Sequence, residues 1–133
     1  FRSIDHARAA VLQFNQRDRS NRPGMLAWAV VDYLLLTDQY ECAGDHAAGW
    51  ETSHMMALHP QTVDLSLLPP KGEPLIGVGG RMLPQDATAA FGQETLEAAA
   101  AIVIHEVQHR LAHKSMYMSH GHGLLEGLHE NLP

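Results

Sequence analysis

The run LAWAVVDYLLL, residues 26–36, decides the predicted fold, because it is apolar on both faces and interrupted only by Asp32. Strands buried on both faces of a parallel sheet have this composition, and a buried helix can have it as well. The run leads into a polar cluster, and ligand sites of open α/β sheets gather at the carboxyl ends of strands. The sequence therefore predicts an α/β fold with a mostly parallel sheet and a functional site after this run.

The polar cluster is GDHAAGWETS, residues 44–53, called the motif below. Asp45 and His46 form an acid/imidazole pair, in which the carboxylate can orient the ring and tune its proton. Glu51 does not share a helical face with His46, but a loop running into a helix near Glu51 would bring both to one pocket. The alternative interpretation is a polar loop that caps a helix, with Glu51 stabilised by the helix dipole.

The rest of the chain predicts helices joined by loops. Apolar residues at helical spacing indicate an amphipathic helix over residues 3–17 and a long helix over residues 94–114. A short helix is expected over residues 51–58, an extended segment over 63–68 and a glycine-containing loop over 75–83. The buried stripe of the long helix is predicted to contain Val103, Val107 and Leu111.

Composition limits the class of protein. The chain has 133 residues, a net charge of −6 and a sequence pI of 5.9, which argues against a nucleic-acid-binding surface. No apolar run reaches the roughly 18 residues of a membrane span. The single cysteine, Cys42, excludes an internal disulfide and favours a reducing compartment, so the predicted location is cytoplasmic.

The long helix also contains a zinc-protease pattern, His105-Glu106-Val107-Gln108-His109. Histidines at i and i+4 can share one metal ion, and the glutamate between them can activate a bound water. These histidines are offset from the predicted buried stripe by roughly 200°, which favours a polar outer face instead. The tail, residues 115–133, contains His120, His122 and His129 and can be a metal-binding tract, a polar tail or an arm packing on a neighbour.

The motif, continued by MMALHP at residues 55–60 and Val-Asp at 63–64, closely resembles the creatininase (creatinine amidohydrolase) family. That family carries an acid-His pair, small residues, Glu-Thr-Ser, an apolar helix, a proline and Val-Asp. The resemblance covers about residues 3–114, so residues 1–114 would be the C-terminal half of a creatininase-like domain and residues 115–133 a His/Gly-containing tail. It implies a three-layer α/β sandwich around a mostly parallel sheet, assembled into homo-oligomers.

The resemblance also implies a hydrolytic site with two divalent metal ions (zinc, manganese or iron). His46 would be the catalytic acid/base and Asp45 a catalytic and substrate-binding neighbour, while Glu51 would be a metal ligand or would contact one. Cys42 and Trp50 would line the substrate pocket. Most of the family's metal ligands lie in an N-terminal half that has no counterpart here, so a companion polypeptide carrying that half, left by cleavage before Phe1, is expected.

The expected reaction is the metal-dependent opening of a cyclic amide or similar carbonyl ring in a small molecule. Creatinine itself is disfavoured, because Val31 and Cys42 stand where creatininase has pocket tryptophans. Alternatives are a carbon–carbon hydrolase of a cyclic polyol ketone such as an inosose, a non-catalytic subunit, and the zinc protease that His105, Glu106 and His109 would form.

Overall fold

The computed structural model describes residues 2–16 and 25–117, and within these residues the chain is helical. The helices are α1 (Arg2–Gln16), α2 (Gly49–Leu58), α3 (Ala89–Ala112) and α4 (Lys114–Tyr117), with short 3₁₀ turns between them. The described residues contain no strand, and their one β-type pairing is an isolated antiparallel bridge between His46 and Gly79. The predicted α/β sandwich with a parallel sheet is therefore wrong for this chain.

Two compact units make up the molecule. The terminal unit contains the described parts of Phe1–Val31 and Val103–Pro133, and the motif unit contains Asp32–Ile102. Within the described part of the chain, none of the helices has the length and apolar character needed to cross a membrane. The predicted His/Gly tail from residue 118 onward and the predicted loop over residues 18–24 lie outside the described residues.

The run that predicted a strand is an irregular segment followed by a 3₁₀ turn. Ala27 makes both of its backbone hydrogen bonds with one side chain: its N–H donates to Asn15 Oδ1 (3.0 Å), and its carbonyl accepts from Asn15 Nδ2 (2.8 Å). Asn15 is buried, so this amide takes the place of a neighbouring strand. The backbone of Asp32–Leu35 forms the 3₁₀ turn, and Leu36 is the one residue of 26–36 that is fully buried.

The segment over residues 63–68 is also not extended. The Asp64 carboxylate accepts hydrogen bonds from the backbone N–H and the hydroxyl of Ser66, and this local bonding closes the 3₁₀ turn Leu65–Leu67. The same bonds lower the pKa of Asp64 below its usual value. The segment is therefore a turn and not extended, because the Asp64 side chain bonds a backbone N–H that a neighbouring strand would otherwise have used.

The core of the motif unit lies between α2 and α3. Leu36, Trp50 and Ala99 are its buried residues, and Trp50 makes edge-on aromatic contacts with Tyr40 and Phe91. The Tyr40 hydroxyl donates a 2.8 Å hydrogen bond to Glu94 Oε1, which raises the pKa of Tyr40. This aromatic cluster fixes α2, and therefore the motif at its N-terminus, against α3.

The three predicted helices are confirmed, but the stripe predicted to be buried on α3 is wrong. Val107 is 42% exposed and Leu111 56% exposed, whereas Glu106 and Arg110 are buried. Arg110 is buried because its guanidinium pairs with the Glu106 carboxylate and lies 4.0 Å above the Trp28 ring. A charged pair with an aromatic cover has displaced the apolar stripe from the interior.

Candidate functional site

The Asp45 carboxylate caps the N-terminus of α2. Asp45 Oδ2 accepts a 2.6 Å hydrogen bond from the Trp50 N–H, and Oδ1 accepts one of 3.2 Å from the Glu51 N–H. Ala48, at the N-cap position, has no side-chain oxygen that could accept these backbone N–H groups. Asp45 accepts them instead, from three residues upstream. The capping interpretation of the motif is confirmed.

Glu51 folds back on the same loop. Its Oε2 accepts a 2.8 Å hydrogen bond from the Ala47 N–H. Ala47 has φ +52°, a left-handed conformation that costs a non-glycine residue roughly 1–2 kcal/mol. Strained backbone of this kind concentrates at functional sites, where surrounding contacts hold it in place. The two acids of the motif therefore hold the loop that carries His46.

We expect Ala47→Gly to raise the free energy of unfolding by roughly 0.5 kcal/mol, because glycine adopts positive φ without strain but loses more entropy on folding. Denaturant unfolding followed by circular dichroism measures this change. Ala57→Gly, inside α2, is the control and should lower stability by about 1 kcal/mol. Equal losses for the two variants would contradict the strain at Ala47.

His46 is held by its backbone and is exposed at its side chain. Its N–H donates to the Gly79 carbonyl (2.7 Å), and its carbonyl accepts from the Gly79 N–H (2.9 Å). The adjoining Gly80 approaches closely, since a Cβ there would lie 2.6 Å from Asp45 Cβ and 2.8 Å from Ala48 Cβ. The glycine-containing loop thus packs against the motif, and the imidazole extends outward from a fixed backbone.

Cys42 and Trp50, predicted to contact substrate, lie in or against the core. Trp50 is 2% exposed and Cys42 is half-buried beside the same cluster. Glu51 instead lines a cavity of about 390 Å³ together with Met55, Asp64 and Leu68. The structure thus brings Asp45 and Glu51 to the same turn of backbone, while His46 is not among the residues lining the Glu51 cavity.

Sequence reasoning included Ser53 in the motif without giving it a role, and it missed His54. The buried Ser53 hydroxyl donates to the Gly49 carbonyl (2.6 Å) and accepts from the Thr88 N–H (3.1 Å), joining α2 to the start of α3. His54 Nε2 lies 2.9 Å from Thr95 Oγ1, and its ring contacts Trp50 edge-on. His54 follows Glu51 by three residues on a helix, a spacing that could have placed it on the same face.

Burial lowers the pKa of His54 below its ordinary value, and the carboxylates of Asp32, Asp45 and Glu51 partly oppose this shift. These carboxylates come from three segments of the motif unit, so several negative charges act on one imidazole. Burial favours the neutral form of His54, which is the form that can accept a proton or bind a metal ion.

The zinc-protease residues are arranged differently. The Glu106 carboxylate is paired with Arg110, so it is committed to an ion pair in the interior of the terminal unit. His109 stacks on His113 with ring centroids 4.4 Å apart, while His105 is exposed. The described residues contain no group of three or more His, Cys, Asp or Glu side chains placed to hold a metal ion.

Comparison of the chain with protein families, with curated proteins and with solved structures finds no match.

Proposed function

We propose that this chain is one subunit of a metal-dependent hydrolase that opens a cyclic amide or similar carbonyl ring, working with a companion polypeptide that supplies most of the metal ligands. The proposal is supported by the motif, which resembles the creatininase family over some twenty positions. The observation that carries it is the fixed loop at the start of α2, where Asp45 and Glu51 bond the backbone around an exposed His46.

Each residue has a chemical role in this reaction. Two divalent metal ions, when bound, would supply an activated water and polarise the carbonyl. The free oxygen lone pairs of Glu51 would face the metal centre, and the His46 imidazole would protonate the leaving nitrogen. Asp45 would contact substrate while it holds the helix. An inosose, a cyclic polyol ketone, is the alternative substrate class, and product analysis separates the two.

A non-catalytic subunit is the second candidate function, and one observation favours it. Both oxygens of Asp45 accept backbone N–H groups, and one oxygen of Glu51 does the same. These bonds account for both acids as structural residues of the loop. The two candidates differ in what they require of His46, which is exposed and contributes only backbone hydrogen bonds to the fold among the described residues.

The test uses the full chain purified with its native partners. We expect bound zinc, manganese or iron by elemental analysis, and hydrolysis of a cyclic amide in a substrate panel. His46→Ala should reduce kcat by roughly 10²–10⁴-fold while the Tm stays unchanged, because the imidazole is exposed. His59→Ala is the matched control, since His59 is also exposed and follows α2. Full activity of His46→Ala would contradict the catalytic proposal.

Two substitutions at Asp45 separate its chemical and structural roles. Asp45→Asn keeps an oxygen that can cap α2, whereas Asp45→Ala removes the cap at a cost of roughly 0.5–2 kcal/mol. A catalytic Asp45 predicts loss of activity in both variants, with loss of stability mainly in Asp45→Ala. If Asp45→Asn remains active, its role is structural, as expected of a non-catalytic subunit.

A further inference from the structure

The hydrogen bonds of Thr95 determine which nitrogen of His54 carries a proton. Thr95 Oγ1 lies 2.9 Å from the Phe91 carbonyl oxygen, 3.2 Å from the Gly92 carbonyl oxygen and 2.9 Å from His54 Nε2. A threonine hydroxyl has one hydrogen, and carbonyl oxygens only accept. The Thr95 hydrogen therefore points to one of these carbonyl oxygens. If it pointed to His54 instead, the lone pairs of Thr95 Oγ1 would face the lone pairs of both carbonyl oxygens. Thr95 must then accept from His54, so Nε2 is the protonated nitrogen.

We propose that Thr95 is a positioning residue that holds His54 as the Nε2–H tautomer, which makes the lone pair of Nδ1 a second proton acceptor of the candidate site. The tautomer follows from the hydrogen bonds alone, whereas its use in hydrolysis rests on the proposed function. The ligand that Nδ1 would bind is an N–H or O–H donor, such as the water that attacks the ring or an amide N–H of the substrate.

The surroundings of His54 suit this role. Thr95 is fully buried and Trp50 packs edge-on against the ring, so the imidazole is held on two sides. Among the described residues, no hydrogen-bond partner of Nδ1 is present. A proton taken up at Nδ1 would produce an imidazolium whose charge is offset by three nearby carboxylates, Asp32, Asp45 and Glu51.

The first experiment is ¹⁵N NMR of the full chain with labelled histidine, with the His54 signals assigned by His54→Gln. Long-range couplings identify the tautomer, and we expect Nε2–H in the wild type. Thr95→Ser keeps the hydroxyl and should keep this tautomer, whereas Thr95→Val removes it and should give a mixture of tautomers. A wild-type Nδ1–H tautomer, measured without any substitution, would overturn the proposal, as would a Thr95→Val spectrum identical to that of the wild type.

The free energy of unfolding, measured over a pH series, gives an independent test that His54 is neutral in the folded chain. Because burial lowers the His54 pKa in the folded state, the unfolded chain binds more protons as the pH drops below about 6.5. Stability is therefore retained above that pH and lost as the pH falls towards the folded-state pKa. His54→Gln should reduce this acid destabilisation, and His59→Gln, an exposed control, should not. An unchanged profile in His54→Gln would contradict a neutral His54.

Activity of the native complex separates this inference from the proposed function. If the complex hydrolyses its substrate, His54→Gln should lower kcat by roughly 10²-fold or more, and Thr95→Ser should restore most of what Thr95→Val loses. A confirmed tautomer with no hydrolase activity would overturn the proposed function and leave Thr95 as the positioning residue of His54. Full activity of His54→Gln in an active complex would overturn the acceptor role alone.

Discussion

Gly92→Ala should lower the free energy of unfolding by about 3 kcal/mol, because overpacking outweighs the helix propensity that alanine adds. A Cβ at residue 92 would overlap the backbone carbonyl of Ser53 and lie 2.9 Å from the backbone nitrogen of His54. Since both neighbours are backbone atoms of α2, relief requires α2 and α3 to separate, and overpacking of this kind costs roughly 1–3 kcal/mol or more. Urea unfolding, followed by circular dichroism, gives the change.

Gly79→Ala is the matched control, because no atom lies within 4 Å of a Cβ built there and its φ is not positive. It should change stability by less than about 0.5 kcal/mol. In an unconstrained helix, Gly→Ala stabilises by up to about 1 kcal/mol, so the sign of the Gly92 result is diagnostic. A stabilised Gly92→Ala would show that α2 and α3 do not pack as closely as the structure has them.

The helices could be predicted from the sequence because their signals are local. The apolar spacing before Pro60 marks α2, which ends at Leu58, and the apolar repeat through Leu96 and Val103 marks α3. That the motif caps a helix could also be predicted, as one of its two interpretations, but the structure was needed to identify Asp45 as the capping residue. Local patterns of this kind survive because each depends on bonds within one element.

The sheet was predicted wrongly because an apolar run does not specify its hydrogen-bond partner. Asn15, from a different part of the chain, takes both backbone groups of Ala27 that a neighbouring strand would have used. The composition of the run does not predict this contact, because the Asn15 amide lies twelve residues before Ala27 in the sequence. The prediction of the buried face of α3 failed for a similar reason, since Arg110 enters the interior in contact with Glu106 and the Trp28 ring, and apolar spacing does not specify such partners.

The assignment of Asp45, His46 and Glu51 to a functional site stays a prediction, and the sequence named only some of the residues that meet around it. Asp45, His46 and Glu51 stood out because residue types and spacing were informative, and the structure places all three around one turn of backbone. His54 and Thr95 did not, because they are 41 residues apart and meet only after α2 packs on α3. The spacing of His54 from Glu51 was visible in the sequence, but its contact with Thr95 was not, because that contact depends on tertiary packing.

Arg110→Met should destabilise the chain by roughly 3–5 kcal/mol, because it leaves the Glu106 carboxylate buried without its main counter-charge. The side chains of this pair are only 3% and 11% exposed, so water cannot replace the guanidinium. The substitution also removes the cation–π contact with Trp28. The free energy of unfolding from guanidinium chloride titration measures the loss.

The contrast with the exposed Arg81–Glu41 pair identifies burial as the cause. Those side chains are 68% and 88% exposed, so Arg81→Met should cost no more than about 1 kcal/mol. The double variant Glu106→Leu/Arg110→Met should recover most of the loss, because replacing both charges of a buried pair by apolar side chains is often neutral or stabilising. A double variant as unstable as Arg110→Met would contradict the uncompensated charge as the cause. Equal losses at Arg110 and Arg81 would instead mean that water reaches the Glu106 carboxylate and screens its charge.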